Sequence, residues 1–222
     1  MTSDTTADKA KSLAQNGLEH LKTGSYAAAL EAFAEAAGLY GEKGDTAAEA
    51  GMRMNIADIF RATGQQDQAL AAYRQVETLR CAMGDNTGLA STKNNIGLLL
   101  TRMKRHDEAM TVFREAMRLF EACALPDRAA EQLGNMGSVC RDRGESTPAL
   151  DFYHQALQRF EQSGNRERVA DQHANIAYIQ AMDGETTSAL SNFDKARTIY
   201  EHIGHTEKTR QTAKNIELLQ SR

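Results

Sequence analysis

The stretch NIADIFRATGQQDQALAAY, residues 55–73, decides the fold, because its pattern returns every 40 residues along the chain. Its first residue belongs to an asparagine column made of Asn55, Asn95, Asn135, Asn175 and Asn215. Its last residue belongs to an aromatic column made of Phe33, Tyr73, Phe113, Tyr153 and Phe193. A pattern that returns at a fixed period of this length predicts a repeat architecture rather than one undivided core.

Each repeat predicts two helices joined by a turn. In the second repeat, Ile56, Ile59 and Phe60 place apolar side chains at helical spacing. Gly64 then ends the first helix in a conformation that suits glycine. Ala69 and Tyr73 lie on one face of the second helix. Because one helix pair cannot bury its apolar face alone, we expect the pairs to stack into an all-α solenoid.

The period sets the domain organisation. The repeats are predicted over residues 6–45, 46–85, 86–125, 126–165 and 166–205. A capping helix is expected over 206–219, because this segment keeps the asparagine column but has no partner helix. We expect residues 1–5 to be a disordered N-terminus. No interior linker is visible, so residues 6–222 are predicted to form a single domain.

The composition argues against several classes of protein. The chain has 222 residues and a net charge of -4, which argues against a nucleic-acid binder because such a domain needs a strongly basic face. Only 2 prolines argue against an all-β fold. The 3 cysteines contain no Cys-x-x-Cys pair, which favours reduced thiols. Without a visible signal peptide or membrane-spanning run, a cytoplasmic location is expected.

The motifs of common enzymes are missing from the sequence. It contains no phosphate-binding glycine-rich loop, no His-Glu-x-x-His and no Gly-x-Ser-x-Gly. His202 and His205 lie close together in sequence, but no third metal ligand is evident. Cys140 lies in an apolar column and is expected in the core. The sequence therefore predicts no enzyme, and no catalytic residue, cofactor or metal site.

The pattern Asn-Ile-Gly/Ala, then Gly, then Ala-Leu-x-x-Tyr/Phe resembles the tetratricopeptide repeat. The 40-residue period is similar to that of Pins-type spindle-orientation adaptors and, more loosely, to kinesin light chains and Rap-type regulators of bacilli. The resemblance covers essentially the whole chain and implies a right-handed superhelical solenoid. Two positions depart from the pattern. Lys104 stands where a helix-ending glycine is usual, and Ala124-Leu125 replaces the Gly-Asp joint.

The resemblance implies a concave groove lined by the first helix of each repeat. The asparagine column would then line its floor, where each amide can donate to and accept from the backbone of an extended ligand. An alternative stays open, in which each asparagine only braces its own repeat. The same resemblance implies a protein or peptide partner, and it leaves the identity of that partner unknown.

Neighbouring positions on the same helices would select ligand side chains. Three residues after the asparagine stand Asp58, Leu98, Ser138 and Tyr178. Arginines that could grip a carboxylate stand at Arg61, Arg102 and Arg141. Each arginine could equally be a solvated surface charge. The family's carboxylate clamp needs asparagine in the Asp58 column, so we do not expect chaperone C-termini to bind.

These features predict a non-catalytic adaptor or scaffold that binds a partner segment in its concave groove. Two alternatives stay open: a self-assembling structural scaffold, in which case the chain is a homo-oligomer, and a regulatory subunit of a separate enzyme.

Overall fold

The structure is a computed structural model that describes residues 2–221, with the side chains of residues 6–221. Within this part the chain forms eleven helices and no strand. They are α1 Thr2–Lys22, α2 Tyr26–Glu42, α3 Thr46–Ala62, α4 Gln66–Met83, α5 Asn86–Arg102, α6 His106–Ala122, α7 Pro126–Asp142, α8 Ser146–Ser163, α9 Arg166–Met182, α10 Thr186–His202 and α11 Thr206–Gln220. The predicted all-α fold is confirmed. Helix α1 begins at Thr2, four residues before the predicted start of the first repeat. The disorder expected for residues 1–5 stays a prediction; Met1 and the side chains of residues 2–5 lie outside the described part.

The helices follow the 40-residue period. Helices α3, α5, α7, α9 and α11 each begin at the first residue of a predicted repeat or of the capping segment. The capping helix α11 extends to Gln220, one residue beyond its predicted end. None of the helices in the described residues is long and apolar enough to cross a membrane.

The chain forms two compact units, Met1–Arg105 and His106–Arg222. In the first unit, α1 to α5 pack in chain order, each against the next. Phe33 and Tyr73 of the aromatic column are fully buried there. Gly17 lies against Phe33 so closely that an added Cβ would stand 2.6 Å from the ring. The small residue in this column therefore lets the two helices of a pair approach.

In the second unit, α6 to α11 also pack in chain order. Phe113, Tyr153 and Phe193 continue the aromatic column and are buried. Gly137 repeats the close approach, since an added Cβ would stand 2.7 Å from the ring of Tyr153. Cys140 is buried, as its column predicts.

The joints between repeats combine a left-handed residue with a helix cap. Gly84 has φ 68°, and Asp85 then accepts a 2.8 Å hydrogen bond from the backbone N–H of Gly88 at the start of α5. Glycine suits this φ because it has no Cβ. Lys104, in the turn between α5 and α6 within one repeat, and Ala124, at the next joint between repeats, adopt the same conformation, with φ 59° and 56°. The two departures seen in the sequence therefore keep the joint geometry at a steric cost.

Candidate peptide-binding site

The asparagine column lies on α3 and α5 in the first unit, with both side chains half-buried. The side-chain amide of Asn55 makes no hydrogen bond to any of the described residues. Asn95 has only weak contacts: its Nδ2 lies 4.0 Å from the Sδ of Met54, and its Oδ1 accepts a 3.4 Å hydrogen bond from Asn94. Neither bond fixes the amide strongly.

In the second unit the column lies on α7, α9 and α11. Asn175 is half-buried and has no hydrogen-bond partner among the described residues. Asn215 accepts a 3.3 Å hydrogen bond from Gln211 and keeps its own NH2 group free to donate. Asn135 interacts with another residue of the chain. At Asn55 and Asn175, therefore, no side-chain hydrogen bond to the described residues supports the alternative in which the asparagine only braces its own repeat.

A buried tyrosine holds the polar residues of α3. The hydroxyl of Tyr73 donates a 2.5 Å hydrogen bond to Asp58 and accepts a 3.1 Å bond from Nε of Arg61. Nη2 of Arg61 also lies 3.3 Å from Asp58. Burial, and then the bond to Asp58, raise the pKa of Tyr73. Arg61 and Asp58 therefore bind each other and the core, as well as facing solvent.

The equivalent cluster on α7 is neutral at its centre. Ser138 lies 3.1 Å from the hydroxyl of Tyr153, whose pKa is raised by burial. Arg141 donates from Nε and Nη2 to Asp142 at 3.0 and 2.9 Å. The predicted selectivity residue Ser138 is thus held within its own repeat, while Nη1 of Arg141 makes no hydrogen bond to the described residues.

Two predicted residues on α5 face solvent. Leu98 is 42% exposed although it is large and apolar. Arg102 is exposed and forms no ion pair within residues 6–221. Both side chains are therefore available to a partner. The sequence alone did not show that they differ in this respect from Asp58 and Arg61.

Tyr178 belongs to an apolar pocket of about 220 Å³ in the second unit. Its walls come from Tyr178, Ala181 and Met182 of α9, Phe193 of α10, and Asn215, Leu218 and Leu219 of α11. The guanidinium carbon of Arg141 lies 5.9 Å from the centre of the Tyr178 ring, within range of a cation–π contact. The pocket therefore combines an apolar floor with an amide and a cation at its edge.

The sequence interpretation missed Met182 and Leu218 as site residues. A signal for Leu218 was present, because it stands three residues after Asn215 and so shares the column of Tyr178. A second signal was the alternation of the aromatic column. Repeats with tyrosine carry Asp58 or Ser138 in that column, whereas repeats with phenylalanine carry a large apolar residue there, namely Leu18, Leu98 and Tyr178.

No metal centre is formed by the side chains of residues 6–221, since no three His, Cys, Asp or Glu residues gather as ligands. His202 lies 2.7 Å from the backbone oxygen of Thr198. His205 caps α11 by accepting from the backbone N–H of Lys208 at 3.5 Å. Both histidines therefore have local structural contacts.

These features define the class as a helical-repeat protein with amides and exposed apolar side chains along the first helices of its pairs. Residues 50–80 and 88–162 match the tetratricopeptide repeat family. The chain therefore contains tetratricopeptide repeats. No curated protein matches the sequence.

Solved structures with the same fold include three informative ones. The apo form of RapI has a TM-score of 0.76 at 16% identity, over 93% of this chain and 62% of that one. TPR-like repeats of a putative kinesin light chain from Podosopora anserina give 0.72 at 12% identity, over 90% and 98%. MamA from Desulfovibrio magneticus RS-1 gives 0.66 at 17% identity, over 88% and 97%. At these identities the likeness is one of fold. The narrower likeness to Pins-type adaptors stays a prediction.

Proposed function

We propose that this protein is a non-catalytic, cytoplasmic adaptor that binds an extended segment of a partner protein along the first helices of its repeats. The observation that carries the proposal is the state of the asparagine column. Asn55 and Asn175 are half-buried amides that no described residue uses. The polar atoms of these two amides stay accessible to solvent, so a ligand can pair with them without first breaking a hydrogen bond inside the protein.

The chemistry of an amide suits a backbone ligand. Each asparagine side chain offers two donor hydrogens and one acceptor oxygen, which match the C=O and N–H of a peptide bond. Such contacts do not depend on ligand sequence. Exposed side chains beside the column, among them Leu98, Arg102 and Tyr178, then supply the selectivity.

The proposal is tested with peptides selected from a phage-displayed library of random 12-residue sequences on the immobilised protein. We expect the double variant Asn55→Ala with Asn175→Ala to bind the selected peptides about thirtyfold more weakly, since each of the two lost hydrogen bonds is worth roughly 1 kcal/mol. Asn86→Ala is the matched control, because Asn86 is exposed at the start of α5, outside the asparagine column. Fluorescence anisotropy gives the affinities, and circular dichroism confirms that each variant keeps its helices.

Equal affinities for wild type and double variant would contradict the proposal. Sedimentation velocity over a range of concentrations separates it from self-assembly. An adaptor stays a small discrete species, whereas a steady growth in mass would favour the structural scaffold.

A further inference from the structure

Three large apolar side chains at the pocket of α9, α10 and α11 are exposed to solvent. Tyr178 is 50% exposed, Met182 58% and Leu218 54%, and they meet above a floor made of the buried Phe193 and Leu219. Exposed large apolar residues are ordinary when scattered, but a contiguous group around a concavity marks a binding site.

The volume of the pocket limits what enters it. An engineered cavity of about 150 Å³ with apolar walls holds one benzene molecule. A pocket of about 220 Å³ therefore suits one large aliphatic or aromatic side chain. It is too small for a helix, whose diameter with side chains is about 10 Å.

The polar groups beside the pocket identify the rest of the ligand. Asn215 lines the pocket with a free NH2 group, and Asn175 on the neighbouring helix has no hydrogen-bond partner in the described part of the chain. Two free amides next to an apolar concavity favour a peptide backbone over a lipid chain, which has no groups to pair with them.

The charges near the pocket favour an acidic neighbour. The guanidinium carbon of Arg141 lies 5.9 Å from the centre of the Tyr178 ring, and Nη1 stays available after the bonds of Nε and Nη2 to Asp142. Lys214 is exposed, forms no ion pair with residues 6–221, and lies one helical turn before Leu218 on the same side of α11. Both groups can pair with a carboxylate on a segment whose apolar side chain fills the pocket.

We propose that this pocket receives a large apolar side chain of an extended partner segment, and that an Asp or Glu within three residues of it pairs with Arg141 or Lys214. This inference rests on the proposed function and names the chemical class of the partner. Arg141 lies 5.9 Å from the centre of the Tyr178 ring, and Lys214 lies one helical turn from Leu218. An extended chain advances about 3.3 Å per residue, so three residues are enough to reach either cation from the pocket.

The test uses the same random 12-residue library and the full chain. We expect the selected peptides to share a large aliphatic or aromatic residue with Asp or Glu no more than three positions away. In a synthetic peptide of the consensus, replacing the apolar residue with serine weakens binding about tenfold, and so does replacing the acidic residue with lysine.

Variants of the protein then locate the site. Met182→Ser with Leu218→Ser should weaken the consensus peptide about tenfold. Ile203→Ser, at an exposed apolar position outside the pocket, should leave binding unchanged. Lys214→Glu reverses one of the charges beside the pocket. It should therefore strengthen, several-fold, the binding of the peptide that carries lysine in place of the acidic residue.

The failures are distinguishable. Peptides that lose affinity with Asn175→Ala but not with Met182→Ser and Leu218→Ser overturn this inference and leave the adaptor standing. Consensus sequences without the apolar–acidic pair overturn it as well. Absence of any enriched peptide overturns both proposals. If the chain self-associates and the pocket variants abolish that association, the occupant is a second copy and the inference is wrong.

Discussion

The repeats 46–85 and 166–205 each contain a buried tyrosine bonded to an aspartate, but in different columns. In the first, Tyr73 donates to Asp58 of α3, fifteen residues earlier, at 2.5 Å. In the second, Tyr200 donates at 2.7 Å to Asp171, which also accepts from Lys208 of the capping helix at 2.8 Å.

The position of the tyrosine decides which surface of the repeat is satisfied internally. Tyr73 holds Asp58, which stands in the predicted selectivity column. Tyr200 ties the cap to α9 and leaves Tyr178 and its pocket open. The two repeats share one pattern but differ at the predicted selectivity position. Asp58 is hydrogen-bonded within its own repeat, whereas Tyr178 is exposed to solvent.

The largest expected effect is loss of stability in alkali. Burial raises the pKa of both Tyr73 and Tyr200 above the ordinary value of about 10. Above about pH 10 the unfolded chain releases these protons while the folded chain keeps them. The free energy of unfolding should then fall by about 1.4 kcal/mol per pH unit for each tyrosine.

Urea unfolding between pH 8 and 11.5 measures this slope. Tyr73→Phe and Tyr200→Phe should each flatten it, even though both cost stability at neutral pH. A slope that neither substitution changes would show that the two hydroxyls are not protected in the folded state.

The two aspartates should differ in cost. Asp171 holds Tyr200, Lys208 and Arg168, and only 19% of its side chain is exposed. We expect Asp171→Ala to lower the free energy of unfolding by about 3 kcal/mol, because it leaves the buried hydroxyl of Tyr200 without its acceptor and weakens the binding of two cations. Lys208 then keeps its bond to Glu167, and Arg168 keeps its bond to Glu131. Asp58→Ala should cost about 1.5 kcal/mol, since Asp58 is 41% exposed and Arg61 still contacts Tyr73.

Leu98→Ala is the matched control for Asp58→Ala, because it occupies the same column without a tyrosine to hold it. Its cost should stay within about 0.5 kcal/mol. Urea midpoints at a constant m-value report all three variants. If Asp58→Ala and Leu98→Ala lowered the free energy of unfolding equally, the hydrogen bond from Tyr73 would not distinguish Asp58 from an exposed position in the same column.

The smallest effect concerns the joints, which are alike in the two repeats. Gly84 and Gly204 both have positive φ, whereas the joint at Ala124 reaches the same region without glycine. Ala124→Gly should therefore raise the free energy of unfolding by about 1 kcal/mol, and Gly84→Ala should lower it by a similar amount. A loss of stability in Ala124→Gly would mean that the strain at this joint is already relieved.

The fold could be predicted from the sequence because each structural device recurs every 40 residues. The left-handed glycine, the capping residue after it and the small residue opposite the aromatic ring each depend on local backbone geometry, which the residue type reveals. Gly84 with Asp85, and Gly137 with Tyr153, behave as their columns predict.

The candidate site was predictable only in part. The asparagine column was visible, but the capture of Asp58 and Ser138 was not, because a hydrogen bond to Tyr73 or Tyr153 depends on side-chain conformations fifteen residues apart. The pocket needs three helices at once. Leu218 looked like part of a capping helix until α9 and α10 supplied its neighbours.

The alternation of tyrosine and phenylalanine in the aromatic column has a consequence for how this chain can change in length. Gain or loss of one 40-residue repeat would place two tyrosine repeats or two phenylalanine repeats side by side. The predicted selectivity positions after that point would then no longer alternate in the same order. Gain or loss of a block of two repeats would preserve the order. Insertion or deletion of two repeats could therefore change the length of this protein and still keep the order of its predicted selectivity positions.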